Sequence, residues 1–352
     1  MIRLAWPDVG AEEAAAVAEV LESGQLTMGP KVAEFEAELA RACGVEHAVA
    51  LSSGTAALHL AVLALGIGEG DEVLVPAYTF PATANVVALA GARPVLVDVD
   101  PATMNLDPAK AYEAVTPRTR AVLAVHLFGR PLEWEELQNA VPPDVHLVED
   151  AAGALGARWR GMPCGGLGDL ACLSFHPRKI VTTGEGGAVT TQNAEFAETV
   201  RRLRHHGSAV DEFDVVQPGF NYRLSDILCA VGLVQLRRLD ELWEARHRLA
   251  KAYSERLEGI AETPSAAKGD RHGWQAYVVA LDRRDEALAA LREAGIQAQI
   301  GTYALHRLSA YRDQGPFDGA DRCYERALAL PFHSRLSDDD LDQIAEALAP
   351  FS

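Results

Sequence analysis

The sequence predicts an α/β protein: a mostly parallel sheet between helices, followed by a smaller α+β unit. Three observations carry this. Short apolar runs alternate with stretches of helical spacing through the first half of the chain. The runs are continuously apolar rather than alternating, which marks strands covered on both faces. The alternation then gives way, from Leu224 to about Gly259, to one unusually long helical pattern.

In order, 12–23 and 31–43 have helical spacing, and the "MGP" at 28–30 separates them. Strands are expected at 47–53, 71–77, 94–100, 120–129, 145–150, 169–175 and 186–192. Helices are expected at 55–66, 81–91 and 132–140 between them. The helix from 224 to 259 would bridge two domains, 1–240 and 241–352. The second contains a strand at 275–281 and helices at 285–295 and 338–349.

The chain has 352 residues, half of them apolar, and a net charge of −18. That charge disfavours nucleic acid or an anionic membrane as partner, since both need a positive surface. The cysteine count is five, with no CxxC pair, as expected of free thiols in a reducing compartment. No stretch has the length and apolarity of a membrane span, and "MIRLAWPDVG" has no apolar signal core. A cytoplasmic location is the expectation.

Parallel sheets bind ligands at the carboxyl ends of their strands. After the first strand comes "SSGTAAL", where Ser53, Gly54 and Thr55 open a helix. This is either a structural cap or a site for a phosphate on free N–H groups. "PAYTFPATAN" puts Tyr78 and Phe80 at the next strand end, as core aromatics or as rings for a planar cofactor. His126 follows another strand, as a structural residue or a neighbour of the ligand. Glu149 and Asp150 end the strand "VHLVED", and a buried acid there needs a partner. A helix cap or a cation, such as a pyridinium nitrogen, would serve. In "SFHPRKIVTTGEGG", Lys179 precedes a glycine-rich turn. Alone it reads as a surface charge. With the phosphate cradle, the aromatic and the strand-end acid before it, the set is what a pyridoxal phosphate enzyme needs.

The chain resembles the DegT/DnrJ/EryC1/StrS aminotransferases, sugar aminotransferases of pyridoxal-phosphate fold type I. "TMGPKVAEFE", "SSGTAALHLA", "VPAYTFPATANVV", "PVLVDVDPATMNLD", "VHLFGRP", "VEDAAGALGA", "SFHPRKIVTTGEGG" and "GFNYRLSDILCAVG" stand in family order over about residues 8–345. The resemblance implies that Lys179 holds the cofactor as a Schiff base. Ser53, Gly54, Thr55 and Ser174 would hold the phosphate, Phe80 would stack on the ring, and Asp150 would pair with the ring nitrogen. Asn221 would reach the phosphate bound by a second subunit, which implies a homodimer with sites at the interface. A nucleotide-linked keto-sugar and glutamate are the implied substrates, with Arg223, Tyr303 and His306 as candidate substrate contacts and no metal. A keto-cyclitol or other carbonyl substrate, or a sugar dehydratase activity, stand as alternatives. Dehydratases of this fold carry histidine where Lys179 stands, so the lysine favours amino transfer. The chain departs from the pattern at Gly153, where the family has Gln or His, and around Leu26, where it often has tryptophan.

Overall fold

The computed structural model describes residues 1–209 and 214–352. Seven strands form the central sheet: β1 (His47–Leu51), β2 (Glu72–Pro76), β3 (Arg93–Val97), β4 (Thr119–Val125), β5 (His146–Asp150), β6 (Leu170–Ser174) and β7 (Gly187–Thr191). Their order across the sheet is β1-β7-β6-β5-β4-β2-β3. Only β7 runs against the others, pairing antiparallel with both β1 and β6. Residues of β2, β4, β5 and β6 are buried on both faces almost throughout, as their unbroken apolar runs require.

Helices α1 (Ala11–Ser23), α2 (Pro30–Cys43), α3 (Gly54–Ala64), α4 (Ala82–Leu89), α5 (Pro108–Ala114), α6 (Trp134–Ala140) and α7 (Ala194–Arg204) accompany the sheet. Two of these lie outside the predicted set, although their starts are marked in the chain. Asp107 caps α5 with Pro108 at its first position, and Asn193 accepts from the N–H groups of Glu195 and Phe196 at the start of α7.

The long helical stretch is two helices, α8 (Asp226–Arg237) and α9 (Leu239–Arg256). The break falls at Arg238 (φ −95°, ψ 5°), where there is neither proline nor glycine. Tertiary packing sets it. Helix α8 lies on α1 and α2, with Gly232 against the ring of Phe35. Helix α9 instead sends Ala250 and Tyr253 into a second core.

That core covers a three-stranded antiparallel sheet of β8 (Tyr277–Ala280), β9 (Gln299–Ile300) and β10 (Ala327–Leu330), with β10 in the centre. Helices α10 (Arg284–Glu293), α11 (Asp318–Arg326) and α12 (Asp338–Leu348) surround it. Ile2, at the other end of the chain, joins this core and bridges Ile296. The expected strand 120–129 ends at Val125, and residues 127–129 form a single 3₁₀ turn. All five cysteines are free and buried. Among the described residues no helix is long and apolar enough to cross a membrane.

Candidate active site

Strands β5 and β6 pair in parallel with Asp150 opposite Cys172, so Ser174 lies two residues further along the neighbouring strand. The pleat turns Glu149 and Asp150 to opposite faces, and their environments differ accordingly. Glu149 is fully buried and accepts from the backbone N–H groups of Gly165 (2.7 Å), Leu167 (2.6 Å) and Gly168 (3.0 Å). The N–H of Leu132 donates to Nδ1 of His126, so the other nitrogen of that ring carries the proton and donates to Glu149 at 2.9 Å. His126 is therefore a brace for the strand end. Cys164 shares this corner, but burial pushes its thiol pKa up, and the oxygens of Glu149 are already committed.

Asp150 is buried on the other face. The hydroxyl of Thr83 donates to it at 2.8 Å and the N–H of Ala152 at 3.2 Å. Burial pushes its pKa up, while those two donors and the charge of Lys179 pull the other way without cancelling the effect.

Lys179 sits in the turn after β6, its N–H bonded to the carbonyl of His176 (2.8 Å). Gly184 (φ 86°) takes the left-handed conformation that brings the chain back toward β7. The guanidinium of Arg246, reaching in from α9, donates to the carbonyls of Lys179 (3.3 Å), Trp274 (2.9 Å) and Gln275 (3.1 Å). No hydrogen bond engages the Lys179 amine among the described residues. The lysine keeps some contact with solvent, yet protein atoms crowd its ammonium and push its pKa down to about 8. Arg178 and Arg246 act in the same direction, and the Asp150 carboxylate opposes them.

The residues expected to hold an anion also come together. Ser53 caps α3 by accepting from the N–H of Ala56 (3.0 Å), and Thr55 is exposed in the first turn. A Cβ on Gly54 would lie 2.8 Å from the Cβ of Ser174 and 3.2 Å from its hydroxyl. Only glycine lets the helix start approach the end of β6 this closely. The result is a positive helix end flanked by the hydroxyls of Ser174 and Thr55, which suits an anion.

Phe80 is 62% exposed despite its size, and its carbonyl accepts from the backbone N–H of Thr83 (3.2 Å), whose hydroxyl donates to Asp150. Tyr78–Thr79 pairs with Tyr303–Ala304, which puts the Tyr303 ring 6.3 Å from that of Phe80, edge-on. Tyr303 is thus part of the same neighbourhood. His306 is turned elsewhere, to Asp321 (3.0 Å) and the ring of Phe317. Arg223 bridges Leu51 at the end of β1 and contacts Nδ1 of His205 at 2.6 Å. Asn221 is exposed on the same segment. Thr83, Arg246 and Gln275 were not read from the sequence as site residues. They belong to a helix face, a distant helix and a loop, with no local motif.

An amine that no hydrogen bond engages among the described residues, a buried carboxylate, a positive helix end and an exposed ring fit pyridoxal phosphate. The profile of the DegT/DnrJ/EryC1/StrS aminotransferase family matches residues 7–349. The chain belongs to that family. Among solved structures, this aminotransferase is similar to TlmJ from Streptoalloteichus hindustanus, at 37% identity, 99% of this chain, 98% of that one and TM-score 0.95. It is similar to the sugar aminotransferase CalS13 from Micromonospora echinospora, at 31% identity, 99% and 100% coverage and TM-score 0.94. It also resembles Spr1654 from Streptococcus pneumoniae in its PLP form, at 30% identity, 99% and 97% coverage and TM-score 0.94. The aminotransferase uses pyridoxal phosphate, and its fold is that of the fold type I enzymes.

Proposed function

We propose that this aminotransferase moves an amino group from glutamate to the keto group of a nucleotide-linked sugar, with Lys179 as the covalent anchor of the cofactor. The arrangement that carries the chemistry is the Lys179 amine, which no hydrogen bond engages among the described residues and which lies close enough to buried Asp150 for their charges to act on each other; burial pushes its pKa down to about 8. The likeness to a sugar aminotransferase supports the sugar acceptor.

The bound cofactor supplies an electron sink for the bond broken at the donor's α-carbon. The protein's residues do the rest. Ser53, Gly54, Thr55 and Ser174 would hold the phosphate. Phe80 would cover the ring. Asp150 would hold a proton on the ring nitrogen, since a carboxylate buried without a cation is costly. Lys179 would take the donor's α-proton and return it across the site, and a pKa near neutrality suits both roles. Tyr303, exposed beside Phe80, would meet the sugar. Asn221 reaches a second subunit. Its exposure, together with that of Leu26, Met28, Val215 and Val216 nearby, supports a homodimer.

Addition of glutamate to the loaded enzyme is expected to bleach the visible absorption band and release 2-oxoglutarate. Lys179→Ala should abolish turnover and the band of the resting enzyme. A dehydratase would convert its sugar with no amino donor. Sustained turnover by Lys179→Ala would remove the assignment.

A further inference from the structure

Three segments converge behind the carboxylate strand. Gly153 lies three residues beyond Asp150, Phe128 and Gly129 lie beyond β4, and residues 272–275 lead into β8. The N–H of Gly273 donates to the carbonyl of Gly129 (2.7 Å), and the N–H of Gln275 donates to the carbonyl of Phe128 (3.1 Å). A Cβ on Gly129 would stand 2.9 Å from the carbonyl oxygen of Gly153. Phe128 (φ 58°) and Trp274 (φ 50°) both occupy the left-handed region, which costs a side-chain-bearing residue free energy. Arg246 then fixes the carbonyls of Trp274 and Gln275 from the other side.

These constraints aim one side chain. The Cβ and Cγ of Gln275 lie 3.4 Å from where a Cβ on Gly153 would be, and Oε1 lies 3.5 Å from it. The Gln275 amide donates to the carbonyl of Arg178 (3.4 Å), the residue before Lys179. The side chain therefore spans from the carboxylate strand end to the lysine turn. It is only half-buried, one amide hydrogen is uncommitted, and Oε1 has no hydrogen-bond partner among the described residues.

We propose that Gln275 is a cofactor contact of this enzyme: its amide takes the place that Gly153 leaves without a side chain and hydrogen-bonds the phenolic oxygen of the pyridoxal ring. A polar group from the loop before β8 thereby does what a side chain at 153 would do. The two positions compete for one space, so a long side chain at 153 requires a short one at 275. The inference rests on Lys179 and Asp150 bracketing the ring.

The test is a pH titration of the visible band of loaded wild type, Gln275→Ala, Gln275→Leu, Gly153→Gln and the double variant Gly153→Gln/Gln275→Ala. Cofactor affinity from titrating apoprotein with pyridoxal phosphate and the apoprotein's thermal midpoint are measured alongside. Loss of one hydrogen bond to the ring should move the band's apparent pKa by about half a unit or more and weaken affinity roughly 5–10-fold. The double variant should return toward wild type, a non-additivity expected of groups sharing one contact. A wild-type titration in both Gln275 variants overturns the proposal. So does a lowered apoprotein midpoint with an unmoved band, which would make Gln275 a brace only. A double variant no better than Gln275→Ala overturns the shared place. Failure of the broader reading is separate: Lys179→Ala would then keep the band.

Discussion

Lys179 is held between opposing influences. Its ordinary pKa is about 10.5, and burial with two neighbouring arginines brings it to about 8 against the pull of Asp150. Between those values the unfolded chain binds more protons than the apoprotein, so the lysine's contribution to stability is present above 10.5 and is lost as pH falls through 8. At pH 7 the apoprotein therefore carries the cost of a crowded ammonium. Lys179→Met should stabilise the apoprotein at pH 7 by on the order of 1–3 kcal/mol, less whatever Asp150 loses with its cation. The gap should close toward pH 10, and urea unfolding of both apoproteins at several pH values measures it. In the sequence Lys179 reads as a candidate cofactor residue only in company, since its own neighbours include Arg178 and suit a surface residue equally well.

At the scale of elements, the cradle depends on how closely α3 starts against β6. Gly54→Ala places a methyl 2.8 Å from the Cβ of Ser174, inside any normal contact, so either the helix start or the end of β6 must shift. Cofactor affinity is expected to fall at least tenfold with the fold intact, as measured by equilibrium dialysis of pyridoxal phosphate and far-ultraviolet circular dichroism. The strand-to-helix turn was readable because "SSGTAAL" follows a continuous apolar run. The break between α8 and α9 was not. The residues on both sides of Arg238 favour helix; α8 and the first turn of α9, through Leu242, pack in one core, and only further along does α9 place Ala250 and Tyr253 in the other. The same loss of signal hid Arg246, whose carbonyl partners lie far away in sequence.

For the whole molecule, the proposed dimer makes a sharp prediction about Asn221. If it completes the partner's site, mixing inactive Lys179→Ala with Asn221→Ala subunits produces heterodimers with one intact site. Random reassortment gives such heterodimers in half the dimers, so about a quarter of wild-type activity should return, provided subunits exchange. An Asn221 that served its own subunit would give no recovery. Exposed Leu26 and Met28 are apolar groups that such a contact would cover.

By itself the sequence determined the α/β alternation, the strands buried on both faces, and the chain order of helix-opening turn, strand-end aromatic, strand-end acid and lysine. Each of these is written in local periodicity or at a strand end, where side-chain type and spacing carry the information. Tertiary structure alone decided which face each acid takes, and so why Glu149 is a brace while Asp150 faces Lys179. It also turned His306 away to Asp321, brought Tyr303 to Phe80, and placed Gln275 in the space at Gly153. Those outcomes depend on contacts between segments distant in the chain, and no local pattern of residues encodes the distance between them.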